Sequence, residues 1–389
     1  MEIFFVVISG LTLFTWILIL AHMLNGVRQL RYLNELGKPK PVDPPLLRVS
    51  VIVTARNEER KAEEALRSLM RLDYPDYEVV YVNDRSDDRT GEIAERLQAM
   101  DGRIRTIHIE ELPPGWFGKN HAAYHAAKAA TGEVLLFTDG DVIFAPCALE
   151  CAVRHMLRNG LDHLSLSARV AVTGPFLRSC IVVFATTVNL LLPPWKVRDP
   201  KSSVYFGVGP FNMFLARSYH AIGGHSSVAL RPDEDVQIAK LVKRRGMRSE
   251  FVRGEALVGF EWYSTFQGLV RGLEKNFFAT MDYSIVKAGI YTVVMLWLMF
   301  VPFILGPTLA LMGSAWPAAL FGGAAAVSLA NFFLIARQVW HPWWSGLLVP
   351  FATMAMIYIL WRSAFVTIFR GVAWGGPAVA LSELRRHRI

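Results

Sequence analysis

The residues best placed to do chemistry in this chain are Thr138-Asp139-Gly140-Asp141, which follow the apolar run Val134-Leu135-Leu136-Phe137. Two carboxylates separated by one glycine at a strand end suit a divalent cation carrying phosphates, because Mg²⁺ and Mn²⁺ prefer hard oxygen donors and often take one or two carboxylates plus substrate phosphates. The glycine allows a sharp turn and a close approach by a ligand. A D-x-D pattern alone more often marks a loop whose acids face water, so its neighbours decide. Asn57 and Glu58 follow the β-rich run Val49–Val53, and Asp84 follows Tyr77–Val82. Lys119 could offset phosphate charge, and Glu234 and Asp235 stand at the start of a helical stretch. Acids in a first helical turn also suit the helix dipole, which is the plain alternative for that last pair.

The elements that would position these residues alternate. Val49–Val53 reads as a strand, and Ala62, Ala65, Leu66 and Leu69 recur at helical spacing behind a polar turn. The pattern repeats with Tyr77–Val82 and a helix through Ile93, Ala94 and Leu97, then with Ile104–Ile109, an alanine-rich helix Ala122–Ala130, and the strand that delivers Asp139 and Asp141. Such alternation predicts a parallel sheet with helices on both faces. Ligands of these sheets bind at the carboxyl ends of the strands, where Asn57, Glu58, Asp84, Asp139 and Asp141 all fall. Five polar residues on three strand ends, with Lys119 at hand, point to a nucleotide-and-metal pocket.

The chain has 389 residues, 53% hydrophobic residues and a net charge of +8. Its mean hydropathy of +0.31 is high for a purely soluble protein. No Asp, Glu, Lys or Arg occurs from Ile3 to Val27, from Ala288 to Ala336, or from Gln338 to Trp361. Each run is long enough for one or two membrane spans of about 20 residues. The first is too long for a signal-peptide apolar core, so residues 1–27 read as a retained transmembrane anchor. Residues 28–47 form a basic, proline-rich linker, and the positive-inside rule puts the domain behind it in the cytoplasm. The modest positive charge suits anionic lipid better than nucleic acid. Cys147, Cys151 and Cys180 form no C-x-x-C pair, so neither a redox motif nor a disulfide framework is expected. Cys147, Cys151 and His155 share a helical face, where buried thiols are favoured over a soft-metal site. Arg178 to Trp195 is short and polar for a span, and fits a helix lying on the membrane surface or a core helix.

The order of these motifs resembles the family 2 glycosyltransferases. The matching residues are Val51-Ile52-Val53-Thr54-Ala55-Arg56-Asn57-Glu58, Val82-Asn83-Asp84, Gly118-Lys119, Thr138-Asp139-Gly140-Asp141, and Glu234-Asp235 ahead of a helix ending Arg244-Arg245-Gly246. Pro113–Lys119 and the Gly272-x-x-Lys275-Asn276 segment resemble, more narrowly, membrane glycosyltransferases of hopanoid or carotenoid-type lipids. The resemblance implies an α/β GT-A (Rossmann-like nucleotide-diphospho-sugar transferase) domain over residues 48–283. It further implies that Ala55, Asn57, Glu58, Asp84, Lys119, Asp139, Gly140 and Glu234 bind the nucleotide sugar. Asp141, with Asp139, would hold Mg²⁺ or Mn²⁺, and Asp235 would be the catalytic base. A departing diphosphate needs a cation and an attacking hydroxyl needs a proton acceptor, so each role has a chemical reason. One base without a carboxylate nucleophile implies a single displacement with inversion.

There are departures from the family pattern. Processive synthases carry Q-x-x-R-W after the base, whereas Gln267 here is followed by Gly268-Leu269-Val270-Arg271-Gly272. Tyr124 replaces an asparagine common five residues after the lysine, and Trp374-Gly375-Gly376 lacks a basic residue often found there.

Two to three transmembrane or re-entrant helices are expected over residues 284–368, followed by a basic tail, 369–389. If all three apolar segments spanned, Arg370, Arg385, Arg386 and Arg388 would violate the positive-inside expectation, so one segment is re-entrant, with Pro350 a candidate break, or the tail is an exception. The expectation is thus a multi-pass cell-membrane enzyme, its catalytic domain facing the cytoplasm. It would move one sugar from a nucleotide diphosphate to a lipid acceptor among membrane lipids, with no nucleic-acid partner. The alternatives are a polysaccharide synthase-like transferase and a non-catalytic sugar-nucleotide sensor.

Overall fold

The computed structural model describes residues 2–387. Helix α1 (Glu2–Gln29) and the short α2 (Leu33–Leu36) precede β1 (Val49–Ala55), α3 (Ala62–Met70), β2 (Tyr77–Asp84), α4 (Thr90–Met100), β3 (Ile104–Ile109), α5 (Gly118–Ala129) and β4 (Val134–Asp139). Then follow β5 (Ile143–Phe144), α6 (Ala148–Arg158), β6 (His163–Ser167), β7 (Arg169–Ala171) and the apolar α7 (Pro175–Leu191). Next come β8 (Asn212–Leu215), α8 (Ala216–Ala221), α9 (Glu234–Arg244), β9 (Ser249–Arg253) and β10 (Val258–Glu261). The remainder is helical, with α10 (Phe266–Glu274), α11 (Ile285–Met299), α12 (Val301–Leu311), α13 (Ala315–Gln338), α14 (Val349–Arg370) and α15 (Leu381–Arg386).

These elements form two compact units. The α/β unit comprises Leu30–Ala171, Pro194–Trp262 and residues 368–387. Its main sheet has seven strands in the order β3-β2-β1-β4-β8-β6-β9. Strand β1 lies inside the parallel part, and Val49, Val51 and Ile52 are fully buried, as the unbroken apolar run of a strand covered on both faces requires. The two-residue period sends Val51 and Val53 toward Leu66, Leu97 and Ala152, and Ile52 toward Ala122, Ala126 and Ile238 on the opposite face. Each such burial stabilises the unit by about 1.5–3 kcal/mol relative to exposure.

Pairing of Ala55 with Asn83 and of Thr54 with Asp139 brings the carboxyl ends of β2, β1 and β4 level. The parallel expectation fails at β8, which runs antiparallel to both β4 and β6. The chain enters β8 beside Phe137, at the carboxyl end of β4, so it can only run back along the sheet. That reversal delivers the Gly207–Phe211 turn to the same edge as the candidate residues.

Residues 30–47 are fastened to the α/β unit. Arg158 donates to the carbonyls of Leu36 and Lys38 and pairs with Asp43, which also accepts from Arg154 at 2.9 Å. The thiols take the buried reading in part, with Cys151 buried and Cys147 exposed. His155 is 2.9 Å from Glu250 and so is engaged by a carboxylate.

The helical unit comprises residues 2–29, Val172–Pro193 and Tyr263–Thr367. Among the described residues, four helices are long and apolar enough to cross a membrane: α1, α7 with its extension to Lys196, α13 and α14. Helices α11 and α12 are bent by 48° at their junction and would together make a fifth. Apolar side chains face outward along α1, with Ile3, Phe4 and Leu11 more than half exposed.

Candidate active site

Two turns at the sheet edge are built from residues in the left-handed region. Asn57 follows β1 with φ 57° and Arg85 follows β2 with φ 53°, both uncommon for residues other than glycine. The loops carrying them are laced together. Asn57 N donates to Ser86 Oγ at 3.0 Å, Asp87 N donates to Asn57 Oδ1 at 2.9 Å, and Glu58 N donates to Thr90 Oγ1 at 2.8 Å. Asn57 thus fixes the loop geometry with its own amide. Asp84 is buried and clasped by Arg85, whose Nε and Nη2 donate at 2.7 and 2.9 Å. The same Nη2 donates at 2.6 Å to the carbonyl of Gly375, in a tail segment closed by reciprocal bonds between Val372 and Val379. Gly118 N donates to Trp374 O at 3.1 Å, and the Trp374 ring lies 5.7 Å from Lys119 Nζ.

Gly140 needs no unusual φ. A Cβ there would lie 2.8 Å from that of Ala55, so glycine serves a close approach between the β4 end and the β1 end. Ala55, Glu58, Asp139, Gly140 and Asp141 therefore share one corner. Burial and then Asp141 push the Glu58 carboxyl up to about 7, while burial and then Asp139 raise Asp141. The cation beside Asp141 is Lys61, at 3.5 Å.

Lys119, in the first turn of α5, joins this corner to α9. Its Nζ lies 2.6 Å from Asp139 and 2.9 Å from Glu234. Burial works against the ammonium, but Asp139, Glu234 and Asp235 hold its pKa well above the ordinary lysine range. The acids that open α9 divide their tasks rather than merely capping it. Asp233 accepts from buried Arg231 at 2.9 and 2.8 Å and from Gln237 at 2.7 Å, and Glu234 meets Lys119. Asp235 is half-buried, with one oxygen accepting from Val236 N at 2.8 Å. Burial first, and then Glu234, raises its carboxyl well above the ordinary range, toward that of a base working near neutrality.

A cavity of about 20 Å³ lies between these groups, lined by Lys119, Thr138, Gly209, Asn212, Glu234 and Asp235 among others. That is room for roughly one water molecule. Gly209 borders it where a Cβ would lie 2.8 Å from Asp139 and 3.2 Å from Lys119. Behind it a buried polar chain steadies Asp235. Ser249 contacts His163 at 2.7 Å, His163 contacts Asn212 at 2.6 Å, and Asn212 donates to the Asp235 carbonyl at 3.3 Å. Among the described residues, no three His, Cys, Asp or Glu side chains form a ready-made cation cage. The crowded carboxylates Glu58, Asp139 and Asp141 nevertheless fit a cation completed by a ligand's phosphates, because Asp139 raises the proton affinity of Asp141, both raise that of Glu58, and a positive charge would relieve that repulsion.

Lys61, Arg85, Asn212 and Gly209 join the site without having been singled out for it. Lys61 lies one turn after Glu58 and Arg85 adjoins Asp84, whereas Asn212 and Gly209 arrive through the reversed strand β8, which periodicity does not reveal.

The fold is that of the nucleotide-diphospho-sugar transferase (GT-A) class. The chain resembles a mannosyltransferase from Pyrobaculum calidifontis solved with GDP-Man and Mn²⁺, with a TM-score of 0.54, 19% identity, and coverage of 93% of this chain and 98% of that one. Residues 50–214 match the model of glycosyl transferase family 2, so the chain carries a domain of that family. It is also 25% identical over 252 residues to the 4,4'-diaponeurosporenoate glycosyltransferase of Staphylococcus aureus strain USA300, covering 64% of this chain. The strain MRSA252 protein of the same name is 24% identical over 230 residues, 59% of this chain. The match spans 65% of the length of the first of these relatives and 60% of the second.

Proposed function

We propose that this protein is a membrane-bound, cation-dependent, inverting glycosyltransferase that moves one sugar from a nucleotide diphosphate to the oxygen of a lipid acceptor, with a carotenoid-type carboxylate or hydroxyl as the first class to test. The observation that carries this reading is the Lys119 bridge. It ties Asp139, beside the proposed cation residue Asp141, to Glu234, beside the proposed base Asp235. One lysine thereby links the residues for the leaving group to those for the attacking group.

In this reading Ala55, Glu58, Asp84 and Gly140 receive the nucleotide sugar, and Lys119 offsets diphosphate charge. Asp141, with Asp139, would hold Mg²⁺ or Mn²⁺, which when bound supplies charge stabilisation for the departing diphosphate. Asp235 accepts the proton of an acceptor hydroxyl as its oxygen bonds to the anomeric carbon. The bond from that carbon to phosphate breaks, and the electron pair leaves with the nucleoside diphosphate. A carboxylate acceptor attacks already ionised and needs no such transfer. The name of the S. aureus relatives supports a carotenoid-type acid acceptor, and the GDP-Man and Mn²⁺ of the Pyrobaculum calidifontis neighbour support the donor class and the cation. The apolar helices support a multi-pass location, with the α/β unit on the cytoplasmic side because Arg28 closes α1 and Arg31 follows it.

The test incubates detergent-solubilised protein with a panel of nucleotide sugars, Mg²⁺ or Mn²⁺, and either carotenoid acids or total lipid extract, followed by mass spectrometry. A lipid carrying one added sugar is expected. Long repeating products, or none with any donor under cation, would refute the reading.

A further inference from the structure

Helix α7 has the length and hydropathy of a membrane span, yet the chain on its two sides is joined in one sheet. Strand β4, before it, pairs with β8, after it, from Val134–Leu215 to Phe137–Asn212, and β6 pairs with both β8 and β9. Backbone cannot leave such pairing unsatisfied within lipid, so both ends of α7 lie on one side of a bilayer. The same constraint governs Tyr263–Thr367. The chain leaves the α/β unit after β10 and returns to it at Trp374 and Gly375, whose carbonyls accept from Gly118 and Arg85. The crossings between those points must be even in number. Three candidates lie there, the bent α11–α12 pair, α13 and α14, so one does not cross.

Contacts inside the helical unit identify it. Helices α12 and α13 form a hairpin, in which a Cβ on Gly306 would lie 3.4 Å from Gly322 N, with its turn at residues 312–314. Helix α1 follows α13, with the Trp16 and Phe332 rings 5.4 Å apart and Leu13 against Gly323. Helix α14 instead follows α11 and the end of α10. Thr353 Oγ1 donates to Met299 Sδ at 3.5 Å, Trp361 Nε1 donates to Thr292 Oγ1 at 3.0 Å, and Ser363 Oγ donates to Glu274 O at 2.6 Å. It therefore begins level with the α11–α12 bend and ends level with the start of α11. Ahead of it the chain has doubled back beside α13, with Trp343 against Phe333 at 5.3 Å.

We propose that residues 339–370 are a re-entrant segment and that α7 does not cross. The chain then spans the membrane three times, through α1, the α11–α12 pair and α13. The outward stripe of α14, formed by Phe351, Met354, Tyr358, Trp361, Phe365 and Phe369 at intervals of three or four, faces the acyl chains. Lipid is the occupant because the stripe belongs to the same apolar unit as the spanning helices. The arrangement also removes the charge conflict of the tail. Arg337, Arg370, Arg385 and Arg386 fall on the side of the α/β unit, and the far turn at 312–314 carries no charge.

The test is labelling of single cysteines by a membrane-impermeant maleimide in cells expressing the full chain. Exposed Cys147, in a Cys151→Ser/Cys180→Ser background, marks the side of the α/β unit, and Met312→Cys, Trp340→Cys and Ser382→Cys are read with Cys147→Ser added. Met312→Cys is expected to label in intact cells. Cys147, Trp340→Cys and Ser382→Cys are expected to label only after permeabilisation. Labelling of Trp340→Cys in intact cells, or of Ser382→Cys together with Met312→Cys, would overturn the proposal, as would protection of Met312→Cys. A position unreactive even in detergent is replaced by its neighbour, Arg337→Cys or Leu311→Cys. The outcome does not depend on the enzymatic reading.

Discussion

Replacing Lys119 with methionine keeps the length of the side chain and removes the cation shared by two carboxylates. The two contacts are unequal. The Asp139 side chain is 32% exposed, so the Lys119–Asp139 contact resembles a surface pair and contributes no more than about 1 kcal/mol. The Glu234 side chain is 5% exposed, and stripping a partner from a buried carboxylate costs about 3–5 kcal/mol. For a unit of this size that corresponds to a fall of about 6–20 °C in melting temperature. The loss has a definite pH dependence. Without Lys119, Glu234 is raised further above the value it has in the unfolded chain, and its protonated form is favoured in the folded state. Its stabilising contribution is then present below the ordinary glutamate range and is lost as pH rises through the raised value. The variant should therefore approach the parent near pH 5 and fall furthest behind at pH 8–9. Adding Glu234→Gln should recover most of the deficit at high pH. The assay is thermal unfolding in one detergent across that pH range, followed by tryptophan fluorescence. A constant deficit at all pH values, or one below about 1 kcal/mol at pH 8, would refute the electrostatic account of this bridge.

Asp235→Asn should reduce transfer to a hydroxyl acceptor by about 10²–10⁴-fold while leaving donor affinity within a few-fold, as read by product formation and by calorimetric titration of the donor. Asp141→Ala should abolish the part of donor binding that depends on added Mn²⁺ or Mg²⁺, leaving any cation-independent part in place. Because the Glu58 carboxyl sits at about 7 and loses its proton more readily beside a cation, cation affinity should rise from pH 6 to pH 8, and Glu58→Gln should flatten that rise. Arg85→Ala removes the donor to Gly375 O, so the segment around Trp374 should become a site of early cleavage in limited proteolysis; protection equal to the parent would show that the Gly118–Trp374 bond suffices.

Much of the candidate site was legible because parallel strands announce themselves as unbroken apolar runs and their ends are marked by polar turns. Val49–Ala55, Tyr77–Asp84 and Val134–Asp139 could each be read alone, and their register brings Ala55, Asn83 and Asp139 level. The acids opening α9 were ambiguous for a physical reason. A dipole cap and a catalytic carboxylate have the same sequence signature. Only distances separate Asp233, bound to Arg231, from Glu234, bound to Lys119, and from Asp235, whose carboxylate accepts from Val236 N. The contribution of Gly209 and Asn212 was hidden because it follows from the direction of β8. A four-residue strand carries no sign of whether it will pair parallel or antiparallel.

The membrane part shows the complementary limit. Hydropathy measures a window and is indifferent to where the flanking chain goes, so α7 passes as a span by composition. Sheet pairing is indifferent to hydropathy but fixes which ends must share a side. Applied together, the two criteria rule out α7 and require an even number of crossings between β10 and Trp374; the proposal that α14 is the re-entrant one rests on its packing along α11. The inward-facing residues of the two excluded helices then make sense. Ser179 donates to Ser345 O at 2.6 Å, linking α7 to the turn ahead of α14, and Asn189 donates to Gln338 at 3.2 Å. The first bond ties α7 to the proposed re-entrant turn, and the second ties α7 to the end of α13, so these polar side chains are satisfied within the helical unit. Ser179→Val should therefore loosen residues 343–346 and raise amide exchange there, while leaving exchange in the middle of α13 unchanged. Equal protection in variant and parent would refute the idea that this bond anchors the re-entrant turn.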